Sequence, residues 1–147
     1  MKIYEVIAKY KTVGYVQDLK KIQSPSEVFS YMEGAFDRFI EQEQFWIILL
    51  NSANRPIARN MITVGLVNQT QIHAREAFRF AIRENAVGVI FVHNHPSGNL
   101  DPSGPDIEVT KQLIKAGQVL DIQVLDHIII ADVKYNSIRE VKPELFS

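Results

Sequence analysis

The sequence contains no cysteine. That absence removes disulfides and thiolate metal sites, and with them the zinc-deaminase pattern, which needs a Pro-Cys-x-x-Cys pair. Any metal held by this chain must be held by histidine and carboxylate. No run approaches the ~20 apolar residues needed to span a bilayer. The opening Met1-Lys2-Ile3-Tyr4-Glu5 is not followed by the apolar core of a secretory signal, so the expected location is the cytoplasm and no membrane partner is expected. Positive charge is not in excess either. Sixteen Lys and Arg stand against 17 Asp and Glu, a formal charge of −1, which gives no broad electrostatic footprint for nucleic acid. Repeats, low-complexity tracts and linkers are also missing. What is there is 147 residues, 46% hydrophobic and 22% charged. That is the balance of one folded domain large enough to bury a core without staples.

Apolar periodicity divides the chain into alternating elements. Residues 2–16 have a β-rich composition (Ile3, Tyr4, Val6, Ile7, Tyr10, Val13), with Gly14 as the expected turn. Ser24-Pro25-Ser26-Glu27 reads as a helix start, with Ser24 as cap, Pro25 in the first helical position and Glu27 completing a capping box. Val28, Tyr31, Met32, Ala35, Phe36 and Phe39 keep helical spacing to about residue 40. Phe45 to Leu50 is a continuous apolar run, expected to be a strand buried on both faces. A turn over Asn51–Pro56 leads to a second strand over 57–67, expected to form a hairpin with the first. A helix is expected over Ala74–Asn85, with Ala77, Phe78, Ala81 and Ile82 on one face. A buried strand follows from Val87 to Val92, then a loop over Asn94–Pro105, a helix from Asp106 to Leu120 and a strand over Ile122–Ala131. This order predicts an α/β domain in which helices pack on a mixed sheet.

The stretch that carries chemistry is Val92-His93-Asn94-His95-Pro96-Ser97-Gly98, continuing to Ser103-Gly104-Pro105-Asp106. His93 and His95 are two apart at the end of a strand, so their imidazoles point the same way. They stand at the carboxyl end of that strand, where α/β sheets place ligands. Asp106 opens the next helix, where a carboxylate can become a third ligand. Two histidines, one carboxylate and a fourth position left open make a catalytic zinc site, although nitrogen and oxygen ligands admit other divalent metals. Each part alone has a plainer reading. A single histidine at a strand end is usually a half-buried polar residue, and Ser103-x-x-Asp106 alone reads as a helix cap. The combination fixes four residue types at fixed spacings, for which the chance of a random match is well below roughly one in a thousand.

His93-Asn94-His95-Pro96, with Ser103 and Asp106 at their spacings, resembles the JAMM motif of the JAB/MPN metallopeptidases. His-Asn-His-Pro-Ser-Gly-Asn, Leu125-Asp126-His127-Ile128-Ile129 and Ser137-Ile138-Arg139-Glu140 resemble more narrowly its bacterial RadC-like branch. The resemblance runs from about Ser24 to the end, leaving residues 1–23 as an uncovered extension of a single domain. It implies an α/β/α sandwich of the cytidine deaminase-like type. It also implies one Zn2+ per chain on His93, His95 and Asp106, and cleavage of a peptide or isopeptide bond in a peptide or protein substrate. A glutamate at the start of a neighbouring strand acts in such proteins as the general base. Glu43 matches that position, two residues before Phe45, and is preferred over Glu76, whose plainer role is first-turn placement on a helix. Ser103 is implied as the hydrogen-bond donor to the developing oxyanion.

Other residues take smaller roles. His127 is read as structural or as an outer partner of the metal site. His73 and Arg75 are read as surface residues, Ser97 and Gly98 as turn residues, and Asn94 as a tie for the loop. The resemblance carries a second functional reading, in which the domain binds DNA or protein, in association with DNA repair, and keeps its metal site without peptidase activity. Completeness of the ligand set favours the enzyme. The helix-hairpin-helix segment of longer RadC-like chains finds no room here, and the charge gives nucleic acid no support.

Overall fold

The computed structural model describes residues 1–7, 9–13, 20–68 and 70–147. A five-stranded mixed sheet in the order β2-β1-β3-β4-β5 forms its centre. The strands are β1 (Gln44–Leu50), β2 (Pro56–Val64), β3 (Gly88–Asn94), β4 (Gln123–Ala131) and β5 (Lys134–Ser137). β1 pairs antiparallel with β2 and β3, β3 pairs parallel with β4, and β4 pairs antiparallel with β5. The one parallel pair needs a crossover, supplied by helix α4 (Gly104–Leu120).

Alternation along the strands sends side chains to two separate cores. Phe45, Ile47, Leu49, Val89 and Phe91 pack against Val109 and Leu113 of α4, and against Ala77 of α2 (Ala74–Ala77) and Ala81 of α3 (Arg79–Arg83). Ile48, Leu50, Ile90, Val92, Ile128 and Ile130 meet Val28 of α1 (Pro25–Tyr31), with Met32 and Ala35. Helices therefore cover both faces of a mixed α/β sheet, as the JAB/MPN resemblance implies. Among the described residues no helix is long and apolar enough to cross a membrane.

Strand β4 carries one irregularity with consequences for the site. Its parallel register runs Val89↔Val124 and then Ile90↔Asp126, so Leu125 is an extra residue in the ladder. Regular alternation would put Val124 and His127 on opposite faces. The bulge reverses the phase. Val124 packs in the α4-side core, and His127 reaches Thr110 of α4 from that same side.

Several boundaries differ from the sequence reading. Among residues 1–7 and 9–13 there is no strand, and Ile3, Tyr4, Val6, Ile7, Tyr10 and Val13 are exposed. β-branched and aromatic residues favour a strand through packing on a pleated, half-buried surface, and here no core covers them. The expected turn at Gly14 lies outside the described residues. Helix α1 starts with its capping box, the Glu27 carboxylate accepting from the Ser24 N–H at 3.2 Å, but it stops at Tyr31. Gly34 takes a left-handed φ of +78°, which breaks the helix before a short 3₁₀ turn at Asp37–Phe39. The helix expected over 74–85 is broken at Phe78 into α2 and α3. Phe78 and Ala81 still face the core, whereas Ile82 is exposed because the break restarts the helical phase. β2 ends at Val64. β5 and helix α5 (Ile138–Val141) are additional to the elements read from sequence.

Candidate metal centre

β3 delivers His93 to the α4 side of the sheet. His95 stands one residue beyond the strand, its N–H donating to the Ile130 carbonyl of β4 at 2.9 Å. Asp106 is the N3 residue of α4, and Ser103 is its N-cap. The cap is reciprocal: Ser103 Oγ accepts from the Asp106 N–H at 3.1 Å, and Asp106 Oδ2 accepts from the Ser103 N–H at 2.8 Å. The plain reading of this pair, a helix cap, is therefore present, and it aims the carboxylate at the histidines. The two imidazole Nε2 atoms lie 2.8 Å apart. Asp106 Oδ1 is 3.3 Å from His93 Nε2, and Oδ2 is 3.1 Å from His95 Nε2. Ligand atoms around a tetrahedral zinc, each about 2.0–2.2 Å from it, stand roughly 3.3–3.6 Å apart, so the Asp106 distances are close to coordination spacing and the two imidazoles stand somewhat closer than it. His93, His95 and Asp106 form a group able to hold a metal ion.

The hydrogen bonds behind the histidines decide which nitrogen faces inward. Thr110 lies one helical turn after Asp106 and donates its hydroxyl hydrogen to the Asp106 carbonyl at 2.7 Å. Having spent its only hydrogen, it must accept from His127 Nδ1–H at 2.6 Å. His127 is fully buried, and burial holds its pKa well below the ordinary histidine value. The neutral ring then presents a bare Nε2, which accepts from His93 Nδ1–H at 2.7 Å. His95 Nδ1–H donates to the Asn99 carbonyl at 2.6 Å. Both ligand histidines thus spend their Nδ1 hydrogens outward and, when neutral, turn lone pairs inward onto a carboxylate.

Three acceptors without a donor among them require a cation. A metal ion meets this need, and so does a proton. The Asp106 carboxylate raises the His95 pKa, with burial opposing it. Burial pushes Asp106 upward, yet its bonds with His93, His95 and the Ser103 N–H hold it well below the usual carboxylate range. The donor set, two imidazole nitrogens and one carboxylate, fits zinc and related divalent ions.

Glu43, His95 and Ser103 line one cleft of about 280 Å³. Glu43 precedes β1, and its carboxylate accepts from the Val67 N–H at 3.1 Å. That bond exists because Gly65, at a left-handed φ of +125°, bends the chain after β2 back toward Glu43, whose carbonyl accepts the Gly65 N–H at 2.8 Å. Glu76 is exposed in the first turn of α2 and does not line this cleft. His73 is half-buried at the N-cap of α2, and Arg75 is exposed. Gly98 closes a turn, its N–H donating to the His95 carbonyl at 3.0 Å. Asn94 reaches across to the chain on either side of Glu43, and not to the loop that the sequence reading assigns it. Sequence reasoning also misses Thr110. The one signal for it is the i+4 spacing from Asp106, which puts both on one face of α4.

A mixed sheet with helices on both faces, and a His-x-His strand end meeting an aspartate at a helix start, define an α/β domain with a candidate metal centre. The RadC-like JAB domain family matches residues 22–143, and the chain belongs to that family. A UPF0758 protein of Bacillus mycoides (strain KBAB4) is 45% identical over 124 residues, covering 84% of this chain and 55% of its own. A UPF0758 protein of Desulforudis audaxviator (strain MP104C) is 47% identical over 102 residues, covering 69% of this chain and 44% of its own. The chain thus spans about half the length of these relatives. The motifs at Leu125–Ile129 and Ser137–Glu140 are joined in space: Asp126 accepts from the Ser137 hydroxyl at 2.6 Å and the Arg139 N–H at 3.1 Å.

Proposed function

We propose that this domain is a zinc-dependent hydrolase that cleaves a peptide or isopeptide bond, with one zinc on His93, His95 and Asp106. The observation that carries the reading is the convergence of two inward imidazole lone pairs and a carboxylate beside a cleft lined by Glu43 and Ser103. Zinc, when bound, supplies Lewis-acid polarisation and water activation near neutral pH. His93 and His95 keep their protons on Nδ1, so both Nε2 atoms stay available to the ion. Glu43 takes a proton from the attacking water as its oxygen bonds to the carbonyl carbon. As the C–N bond breaks, Glu43 passes that proton to the leaving nitrogen. Ser103 Oγ already accepts from Asp106 N–H, so its own hydrogen is free to donate to the developing oxyanion.

Metal analysis of the purified protein, followed by assays of the zinc-loaded form on peptide and isopeptide substrates, tests this reading. Glu43→Gln is expected to lower the rate by about 10²–10⁴-fold, the usual contribution of a general base, with zinc affinity unchanged. Glu76→Gln stays active. An active Glu43→Gln sinks the assignment of the base. Ser103→Ala is expected to lose about 10²–10³-fold, the scale of one oxyanion donor, with about 0.5–2 kcal/mol of stability from the lost helix cap. A wild-type protein that binds zinc and cleaves nothing in the screen favours the binding-module reading instead.

A further inference from the structure

We propose that the Asn94 side chain is the positioning residue for Glu43, an inference that rests on Glu43 being the base. The β1–β3 ladder ends at Phe45↔His93. Beyond that rung the ladder with β1 stops, while the chain stays joined to β4 through the His95 N–H and the Ile130 carbonyl. That bond holds His95 at the metal centre. The end of the ladder takes backbone partners away from the segment that bears Glu43. The Asn94 amide replaces them. Its Oδ1 accepts from the Gln44 N–H at 2.6 Å, and its Nδ2 donates to the Gln42 carbonyl at 2.9 Å. One side chain thus does what a peptide of β3 would have done, with bonds on both sides of Glu43.

The partners also fix which end of the amide points where. A backbone N–H can only donate and a carbonyl can only accept, so the orientation follows from chemistry. Asn94 and Gln44 are both buried, which keeps water from substituting for the bond between them, and the bond to the Gln42 carbonyl is part-buried. The opposite flank is held as well, by the Gly65 N–H on the Glu43 carbonyl and the Val67 N–H on its carboxylate. With Asn94 in place, the Glu43 carboxylate is set at the cleft it shares with His95 and Ser103. Asparagine offers the acceptor and the donor on two separate atoms, as these two bonds require. Aspartate keeps the bond from Gln44 and sets a second oxygen against the Gln42 carbonyl.

The test uses Asn94→Ala and Asn94→Asp in the full chain, each compared with Glu43→Gln and with the double variants. Amide hydrogen exchange at Val67 reads the Glu43 carboxylate directly and needs no activity. Asn94→Ala is expected to accelerate Val67 exchange and to lower kcat about 10–100-fold, the scale of losing an outer hydrogen-bond partner. KM and zinc affinity are expected to hold. Asn94→Asp is expected to fall between alanine and wild type. Adding Asn94→Ala to Glu43→Gln is expected to lower the residual rate no further. Val67 exchange unchanged in Asn94→Ala overturns the proposal, as does a further rate loss in the double variant. Zinc affinity falling in step with kcat also overturns it, since the residue would then support the whole site. If the wild type proves inactive on every substrate, the peptidase reading fails, and the exchange measurement still decides whether Asn94 holds Glu43.

Discussion

Asp106 and Asp126 are both buried carboxylates at junctions between the sheet and a helix, and they differ in what surrounds them. Asp126 meets donors only. The His127 N–H, the Ser137 hydroxyl and the Arg139 N–H point at its oxygens at 2.7, 2.6 and 3.1 Å. Asp106 meets the Ser103 N–H on one side and, on the other, two imidazole nitrogens whose rings have already placed their hydrogens elsewhere. Burial pushes both carboxylates upward. It prevails for Asp126, whose pKa is raised despite its three donors. At Asp106 burial is outweighed once a proton lies between the carboxylate and the His93 and His95 nitrogens, since the hydrogen bonds it makes favour the charged carboxylate. Buried polarity is thus of two kinds. A structural cluster balances donors against acceptors within the fold, and the candidate metal centre holds a surplus of acceptors that only a cation, a metal ion or a proton, can satisfy.

The largest effect that separates the two is expected at Asp106. Asp106→Ala should weaken zinc by more than the ~10–100-fold that loss of an outer partner costs, measured by chelator competition, with the fold retained. Asp126→Ala should leave zinc affinity unchanged, and equal losses for the two variants would erase the distinction. A smaller effect is expected from Thr110→Val, which keeps the side-chain shape and removes the acceptor of His127 Nδ1–H. Zinc affinity should fall about 10–100-fold, and the ring ¹⁵N shifts of His93 should report loss of a single tautomer. Unchanged shifts would show that the relay does not set the ring.

Stability changes come next. Asp126→Ala orphans three donors and should cost about 1–3 kcal/mol in denaturant unfolding. Asp126→Asn gives the smallest effect and the sharpest sign. A carboxylate whose folded pKa lies above its unfolded value of 3.8 favours the fold while protonated. That contribution is complete below 3.8 and is lost as pH rises through the raised folded value. Asp126→Asn cannot titrate, so the fall in stability over that window should flatten. An unaltered profile would show that another group produces it.

Elements set by local chemistry are legible in the sequence. The apolar run at 45–50, the capping signals at 24–27 and the His-x-His spacing each determine their own conformation and stand where expected. Features set by tertiary partners are not legible there. Residues 2–16 have strand composition, yet the described part of that segment forms no strand, because composition cannot provide a neighbouring ladder. β5 and α5 have four residues each, too short for periodicity, and are fastened by Asp126 from elsewhere in the chain. The links of Asn94 to Gln42 and Gln44 span 52 and 50 positions, a reach that no local pattern encodes.

The bulge at Leu125 bears on how this chain tolerates changes in length. Side-chain direction on a strand is a matter of parity, so one residue lost from a regular ladder exchanges the two faces beyond it. β4 holds a spare residue against that event. Removing Leu125 would make Val124 and Asp126 successive, opposite Val89 and Ile90 as they are now, and His127 would keep its place opposite Phe91. The losses would be the packing of Leu125 on the α1-side core and the bond from the Arg139 guanidinium to its carbonyl. β3 has no such reserve, since its ladder with β1 is regular from Gly88 to His93. Loss of Ile90, with the pairing at Gly88 and Val89 kept, would set His93 where Val92 stands, facing α1 and turned away from Asp106. Of the two neighbouring strands that carry the centre's histidines, one can therefore absorb a deletion and the other cannot.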